Sequence, residues 1–382
     1  MYSTRAYGSM IADKVRMRAY TEALRAAVKP GDIVVDIGTG TGIFALLACQ
    51  FGATRVYAIE PNENIEVAKK LAKDNGFSDR IEFIRDLSTK VSFNEKADVI
   101  ILDLRGILPL FERHIPALLD ARRRLLKPGG VLIPKRDTLN VCIVEAPELY
   151  KDYADPWDAN PYNLNLDRAR ELSVNKLSHG RVKPEQMLTQ PQTWGVLDYY
   201  QLETPHFSGK LTQRFIRNGV AHGLIVWFDA ELMDGIGFSN APDCTEHAEV
   251  YGSAFFPFLR PVEVSENDEA HLELRAVLVN DEYTWCWNTT IISAGNITTA
   301  NFKQSTFYGT IFSIENLRKR QPGYIPKLNT SGLVEQFIQG HMNGENSLET
   351  IGKKLFQRFP DQFSSLQEAI ERAGDSSQKY GI

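Results

Sequence analysis

Three glycines alternate with threonines between Asp36 and Gly42, directly after an apolar run. Glycine is needed where the backbone adopts a positive φ or comes close to a ligand, and the helix expected next has free N–H groups in its first turn. Gly38, Gly40 and Gly42, preceded by Asp36, therefore predict a turn that binds a nucleoside-linked ligand. Dinucleotide-binding enzymes use similar turns, so this segment alone leaves the cofactor open.

Two acidic residues follow the next apolar segments of the chain. Glu60 comes after RVYAI, at the expected end of a second strand, where a carboxylate can accept bonds from both ribose hydroxyls. Asp86 ends the segment IEFIRD, a position from which a carboxylate can bond an adenine amino group. For each residue the alternative is a solvated turn residue. Together they predict two further contacts to an adenosine moiety.

These residues need a sheet whose strands end at one edge. Apolar strands and amphipathic segments alternate up to residue 134, which predicts a doubly wound, Rossmann-like parallel sheet, preceded by one helix over residues 9–28. Residues 135–310 are rich in β-branched and aromatic residues and predict an antiparallel β-barrel-like domain, with an inserted helical arm at about 150–190. Residues 311–382 predict a linker and a small helical extension. The expected fold class is therefore α/β plus β.

Composition excludes several classes of protein. The net charge of −5 gives no broad positive surface, so we expect no nucleic-acid partner. No run of about 18 apolar residues and no secretory signal occur, which predicts a cytoplasmic protein without a membrane partner. The histidines show no metal-ligand spacing such as HExxH, so no metal is expected.

Four segments carry a resemblance to a known family. YGSMIADKVRMRAY, VVDIGTGTGIFALLACQFGATRVYAIE, ADVIILDLRGILPLFE and LKPGGVLIPKRDTLNV resemble, in order and spacing, stretches of protein arginine methyltransferases. The resemblance continues more loosely through HGLIVWFDAEL and GFSNAP, and the tail of the chain lies outside it. It implies a divergent class I methyltransferase with S-adenosyl-L-methionine as cofactor.

The resemblance also implies roles for single residues. Met10 packs near the cofactor sulfonium, and Arg16 pairs with the cofactor carboxylate, a task that suits the guanidinium fork. Asp103 and Glu112 flank the loop that holds the substrate guanidinium and are the implied catalytic pair. Glu112 can also accept the proton lost by the methylated nitrogen.

The sequence departs from the family pattern at three positions. Asp103 replaces the family's glutamate, and Arg105 stands where the family has an apolar residue. We expect Arg105 to neutralise one of the two carboxylates. The family's Thr-His-Trp loop falls near residues 248–250, where the histidine is missing, and in the family that histidine pairs with an acid matching Asp13.

Three functions therefore remain open at the level of sequence. The first is methyl transfer to a guanidinium nitrogen of a peptide, a protein or an arginine-like metabolite. The second is O- or N-methylation of a small molecule in a biosynthetic pathway, and the third is cofactor binding without turnover. The arm matches by position the segment through which arginine methyltransferases form homodimers, so we expect a homodimer. The tail resembles a small leader-peptide-binding domain, with a simple helical cap as the alternative.

Overall fold

The chain begins with two helices where the sequence predicts one. The computed structural model describes residues 3–382, and α1 (Thr4–Ala12) and α2 (Lys14–Ala27) meet at Asp13. The Asp13 carboxylate accepts the Arg16 amide at 3.0 Å and the Val250 amide at 3.1 Å. The single-helix prediction is wrong because Asp13 caps α2 and binds a distant loop at the same time.

A five-stranded parallel sheet follows and confirms the doubly wound prediction. It contains β1 (Ile33–Ile37), β2 (Arg55–Ile59), β3 (Ile81–Ile84), β4 (Ala97–Leu102) and β5 (Leu126–Ile133), in the order β3-β2-β1-β4-β5. Helices α3 (Ile43–Gln50), α4 (Ile65–Asp74) and α5 (His114–Arg124) connect the strands. The strands read as apolar runs because a parallel sheet is covered on both faces. All strand ends that carry candidate ligands therefore share one edge.

The strands between residues 136 and 305 form antiparallel sheets, as predicted. Helices α6 (Pro147–Asp158) and α7 (Asp167–Ser173) form the arm. One sheet has the order β7-β12-β10-β6-β8 with β11 on β10, and the other has the order β15-β14-β13-β9. Their bounds are β6 (Arg136–Val144), β7 (Ser178–Gly180), β8 (Gln192–Asp198), β9 (Phe207–Arg214), β10 (Gly219–Met233), β11 (Ile236–Ser239), β12 (Ser253–Val264), β13 (Glu269–Val279), β14 (Glu282–Ile292) and β15 (Thr298–Ser305).

The arm is shorter than the sequence suggests. Its two helices end at Ser173, and from Ser178 the chain pairs with β12 as strand β7. The predicted range of about 150–190 therefore includes residues that belong to the sheet. One hydrophobic core continues from the parallel sheet into the antiparallel sheets, joining residues such as Leu118, Tyr199 and Phe256.

The chain from Ile311 onward is a separate compact unit. It contains α8 (Ile314–Lys319), α9 (Thr330–His341), α10 (Leu348–Arg358) and α11 (Leu366–Tyr380). The last three helices share a small core, whose buried members are Val334, Ile338, Ile351, Leu355, Ala369 and Ala373. Across residues 3–382, every helix is too short or too polar to cross a bilayer.

Candidate active site

The predicted glycine turn lies between the end of β1 and the start of α3. The amides of Gly38 and Thr39 both donate to the Ile59 carbonyl, at 2.8 and 3.0 Å, which fixes the turn to the end of β2. Gly38, Gly40 and Gly42 all have positive φ. A Cβ at Gly40 would lie 2.3 Å from the Tyr7 ring, so this position excludes any side chain. The turn therefore presents bare backbone beneath α1.

Asp36 lies at the base of this turn. One of its oxygens accepts bonds from the Thr39 hydroxyl and the Ala45 amide at 3.1 Å. Its other oxygen, Oδ1, is buried and has no partner within residues 3–382. Burial raises the pKa of Asp36 to about 7. An unpaired buried carboxylate oxygen is costly, so this atom fits a site that a polar ligand completes.

Glu60 supports the turn from the end of β2. Its Oε2 accepts the Gly40 amide at 3.1 Å, and its Oε1 accepts the Asn62 amide at 3.0 Å and the Asn62 side chain at 2.7 Å. The residue is only 4% exposed. Each carboxylate oxygen can accept more than one bond, so these contacts leave acceptor capacity for ribose hydroxyls. The glycine turn and Glu60 together fit an adenosine-bearing cofactor.

Asp86 does not lie at a strand end, contrary to the sequence prediction. Strand β3 ends at Ile84, and Asp86 is a half-exposed residue of the next turn. Its carboxylate accepts the Leu87 amide at 2.7 Å. This bond joins the side chain to the amide of the next residue and is local to the turn. A contact from Asp86 to adenine stays a prediction.

Arg16 and Asp103 form a buried ion pair. Asp103 follows the last residue of β4, and its Oδ2 accepts from Arg16 Nε at 2.8 Å and Nη2 at 2.7 Å. Arg16 also donates to the Tyr251 hydroxyl at 3.1 Å and to the Met10 carbonyl at 3.2 Å. Both charged side chains are 6% exposed. The structure thus brings three of the predicted site residues, Met10, Arg16 and Asp103, into one cluster.

A second buried ion pair adjoins the first. Arg105 binds Asp137 through Nε at 2.8 Å and Nη2 at 3.0 Å, and both side chains are fully buried. Arg105 Nη1 donates to the Tyr20 hydroxyl at 2.8 Å but lies 3.4 Å from Asp103. The carboxylate that Arg105 mainly neutralises is therefore Asp137, at the start of β6, rather than Asp103 or Glu112. We call Arg16, Asp103, Arg105 and Asp137 the buried ion chain.

Tyr199 and His114 lie at the Asp137 end of the buried ion chain. The Tyr199 hydroxyl donates to Asp137 at 2.5 Å and lies 3.3 Å from His114 Nε2. Because the tyrosine proton goes to the carboxylate, His114 must donate through Nε2. Burial, and next the charge of Arg105, lower the pKa of His114 to about 3, so the imidazole is neutral. His114 is a structural donor here.

The opposite charges of the buried ion chain keep each other ionised. Burial tends to raise the pKa of Asp103, but Arg16 and Arg105 outweigh it and hold that pKa below its ordinary value. Burial tends to lower the pKa of Arg105, but the surrounding carboxylates and tyrosine hydroxyls, Asp137 foremost, together outweigh it and raise that pKa. Asp103 is therefore a carboxylate and Arg105 a guanidinium at neutral pH. Such groups persist in a protein interior only when paired.

Glu112 lies in a different environment from Asp103. Asp103 is nearly buried, whereas Glu112 is exposed. Its φ is +38°, and the other non-glycine residues with positive φ in residues 3–382 are all asparagines. Asparagine tolerates this conformation much better than glutamate does. A strained backbone at a candidate catalytic acid is consistent with a functional constraint.

The altered loop uses its backbone and a tyrosine. Within residues 248–250, the Val250 amide donates to Asp13, the acid that matches the partner of the family's histidine. The next residue, Tyr251, donates its hydroxyl to Asp103 at 2.5 Å. No sequence pattern indicated Tyr251. Asp137 was detectable as a lone acid within the apolar run of β6, and Tyr20 as the residue one helical turn after Arg16.

Comparison with known proteins identifies the class. A parallel sheet of this order, with a glycine turn after β1 and an acid after β2, binds nucleoside cofactors. Residues 18–134 match the family model "Ribosomal protein L11 methyltransferase (PrmA)", and residues 135–283 match "Arginine methyltransferase oligomerization subdomain". The two models meet where the parallel sheet gives way to the antiparallel ones. The protein is a class I S-adenosylmethionine-dependent methyltransferase.

Relatives specify the family within that class. The chain is 31% identical over 255 residues to the probable protein arginine N-methyltransferase 6 of Arabidopsis thaliana, covering 64% of the chain and 58% of the relative. It is 32% identical over 241 residues to protein arginine N-methyltransferase 1 of Chlamydomonas reinhardtii, covering 61% of the chain and 70% of the relative. The chain belongs to the protein arginine N-methyltransferase family.

Solved structures support the fold. The Trypanosoma brucei PRMT1 enzyme-prozyme heterotetrameric complex with AdoHcy matches with a TM-score of 0.71 and 20% identity, over 78% of this chain and 96% of that one. Arabidopsis thaliana protein arginine methyltransferase 10 matches with a TM-score of 0.69 and 23% identity, over 79% and 97%. Within residues 3–382, no three side chains of His, Cys, Asp or Glu cluster as metal ligands.

Proposed function

We propose that this protein transfers a methyl group from S-adenosylmethionine to a guanidinium nitrogen of an arginine in a peptide or protein. The observation that carries the proposal is Asp103, an ionised and nearly buried carboxylate held beside Arg16 at the end of β4. Family membership gives the chemistry, and Asp103 gives a buried anion where a cation can bind.

The chain holds the cofactor through its backbone and two acids. Gly38, Gly40 and Gly42 allow the adenosine to approach the backbone, and Glu60 accepts the ribose hydroxyls. Asp36 contributes its unpartnered oxygen. The bound cofactor supplies an electrophilic methyl group on its sulfonium.

Arg16 links the cofactor to the acceptor. Its guanidinium has five donors, and in this structure it directs them to Asp103, Tyr251 and Met10. In the proposal the Arg16 guanidinium would hold the cofactor carboxylate, and Met10 would lie near the sulfonium. Asp103 then loses its nearest counter-ion and is free to bind a cationic acceptor.

Asp103 and Glu112 orient the acceptor guanidinium. Carboxylate oxygens form two parallel bonds to a guanidinium and so fix its plane. One terminal nitrogen then points at the methyl group, and positioning of this kind contributes much of the rate. Methyl transfer would form the N–CH3 bond as the S–CH3 bond breaks, with S-adenosylhomocysteine as the leaving group. The nitrogen would lose one proton, which Glu112 would accept from its exposed position at the loop.

A labelling assay tests the proposal. The protein is incubated with methyl-labelled S-adenosylmethionine and a peptide that contains one arginine, with the same peptide carrying lysine as the matched control. We expect label only in the arginine peptide, recovered as methylarginine after acid hydrolysis, and at least about a hundredfold slower transfer in Glu112→Gln. Label in the lysine peptide, or full activity of Glu112→Gln, contradicts the proposal.

A second candidate is methylation of a small-molecule nucleophile. The observation that favours it is the loop at Val250, where a backbone amide replaces the family's histidine at Asp13. The same assay with free arginine and other small amines or alcohols separates the candidates. Cofactor binding by calorimetry, without S-adenosylhomocysteine production from any acceptor, indicates a protein that binds without turnover.

We also propose a homodimer formed through the arm. The matched model of residues 135–283 is named for oligomerization, and the loop between α6 and α7 exposes Tyr162 (74%) and Leu164 (62%). Exposed apolar residues of this size favour an interface. Light scattering is expected to give twice the mass of one chain, and Tyr162→Ser with Leu164→Ser to shift it toward the monomer. A monomeric wild-type protein contradicts this proposal.

A further inference from the structure

We infer that Asp137 is a positioning residue that binds Arg105 more closely than Asp103 does, so that the Asp103 carboxylate stays available to a cationic acceptor. The inference rests on the proposed function. It concerns a pair of residues, Arg105 and Asp137, that lie on different sheets of one compact unit. Arg105 follows β4 of the parallel sheet, and Asp137 lies at the start of β6 in the antiparallel sheet.

The geometry makes Asp103 the most distant of the polar partners of Arg105. Two parallel bonds of 2.8 and 3.0 Å fix the guanidinium to Asp137, and a third bond of 2.8 Å fixes it to the Tyr20 hydroxyl. The guanidinium also lies 5.3 Å from the ring centre of Phe228. The remaining contact, to Asp103, is the longest at 3.4 Å. A planar fork held at three points cannot turn toward Asp103 without breaking the shorter bonds.

Asp137 is held equally firmly. Its Oδ2 accepts the Tyr199 hydroxyl at 2.5 Å, and Tyr199 is in turn bonded to His114. Its backbone lies in a paired strand, opposite Ala230 of β10. The side chain is fully buried, so no water competes for its oxygens. Asp137 therefore presents both oxygens to Arg105 in one orientation.

The charges then divide into two pairs. Arg105 and Asp137 cancel each other, and Arg16 and Asp103 cancel each other in this structure. When Arg16 binds the cofactor carboxylate, the site facing the acceptor carries the single negative charge of Asp103. Without Asp137, Arg105 becomes the counter-ion of Asp103 and competes with the acceptor guanidinium for the same oxygens.

This arrangement accounts for the departure at position 105. An apolar residue there needs no partner, whereas a buried arginine without one is strongly unfavourable. Asp137 makes the arginine compatible with a site that binds cations. The two residues are therefore expected to act as a unit, and removal of both charges to be tolerated better than removal of the carboxylate alone.

A double-mutant cycle tests the inference on the full chain. Asp137→Asn, Arg105→Met and the double variant are compared with the wild type, using the arginine peptide and methyl-labelled cofactor. We expect Asp137→Asn to raise KM for the peptide about tenfold or more while the Kd of S-adenosylhomocysteine changes less than about twofold. The double variant is expected to return KM to within about threefold of the wild type.

The split between peptide KM and cofactor Kd distinguishes positioning from a merely structural role. If Asp137 served stability alone, Asp137→Asn would weaken peptide and S-adenosylhomocysteine binding together, which overturns the inference; a double variant whose KM stays as high as that of Asp137→Asn overturns it too. An unchanged KM in Asp137→Asn overturns it as well. Absence of any methylation by the wild type overturns the proposed function and this inference together.

A further variant covers the case in which Asp137→Asn does not fold. Arg105→Lys keeps the positive charge but cannot form two parallel bonds to Asp137, and its flexible stem lets the ammonium approach Asp103. We expect a higher KM for the arginine peptide at unchanged cofactor affinity. An unchanged KM in folded Arg105→Lys overturns the inference.

Discussion

Glu112 adopts a conformation that few glutamates adopt. Its φ of +38° places it in the left-handed region, whose cost for a residue with a Cβ is about 1–2 kcal/mol. The four asparagines with positive φ lie in turns or loops outside the candidate site. The protein therefore keeps at Glu112 a residue poorly suited to the local backbone, next to α5.

Two substitutions of Glu112 separate the cost of its backbone conformation from its proposed role in methyl transfer. Glu112→Asn is expected to raise the free energy of unfolding by up to about 1 kcal/mol, because asparagine tolerates positive φ. Glu112→Gln keeps the unfavourable conformation and is expected to leave stability unchanged. Both variants are expected to lose methyl transfer. Urea unfolding with activity assays measures this, and equal stability of the two variants contradicts the prediction.

Asp36 makes the stability of the cofactor-free protein depend on pH. Burial raises its folded-state pKa to about 7 from an ordinary value of 3.8. Between these values the folded protein binds a proton that the unfolded chain releases, so this contribution to stability falls as pH rises from about 4 to about 7. Above that range the carboxylate is ionised in both states, and the contribution is constant.

Asp36→Asn removes the titrating group and is expected to flatten this dependence. Urea unfolding of both proteins at about pH 5 and about pH 8 measures it, and the loss of stability between the two should be smaller in the variant. Identical pH dependence of the two proteins contradicts the burial argument for Asp36.

At the scale of elements, the glycine turn joins β1 to α3 and also packs against Tyr7 of α1. Gly40 combines a φ of +55° with a Tyr7 ring that would lie 2.3 Å from any Cβ. Gly76, after α4, has a similar φ of +73° but open space around it. The two positions share a conformational cost and differ in what a methyl group would meet.

Alanine at these two glycines is expected to have different effects on cofactor binding. Gly40→Ala displaces Tyr7 and the turn, so the Kd of S-adenosylhomocysteine should rise about tenfold or more. Gly76→Ala should cost about 1 kcal/mol of stability and leave that Kd unchanged. Calorimetry and urea unfolding measure both. Equal affinity of the two variants shows that the turn tolerates a side chain and contradicts the prediction.

At the scale of the whole molecule, the chain divides into two compact units. The unit that ends at Thr310 contains the candidate site and one continuous core, and the unit that begins at Ile311 has its own small core. Leu355 is fully buried in that small core, whereas Leu348 of the same helix is 41% exposed. A substitution in that small core therefore tests the stability of the second unit by itself.

Leu355→Ala is expected to destabilise the second unit by about 2–5 kcal/mol, through lost burial and the cavity left behind. Leu348→Ala is the control and should cost much less. Hydrogen exchange is expected to rise in α9, α10 and α11. Unchanged exchange in these helices of Leu355→Ala contradicts the prediction.

The sequence by itself determined the parallel sheet, the glycine turn and the position of Glu60 after β2. These features depend on local patterns, because a buried strand is an apolar run and a turn with positive φ needs glycine. The antiparallel second half was predictable for the same reason. The single helix over residues 9–28 was wrong, since its break depends on a bond from Asp13 to Val250, a residue far away in the chain.

The tertiary structure alone decided how the charged side chains pair. Arg16 and Asp103 are 87 positions apart, Arg105 and Asp137 are 32 apart, and Arg16 and Tyr251 are 235 apart. Local periodicity specifies which face of an element is buried but not which distant partner meets it. The packing of the antiparallel sheets against the parallel sheet brings Asp137 to Arg105 and Tyr251 to Asp103, because burial of charged and polar groups is tolerated only where such partners coincide.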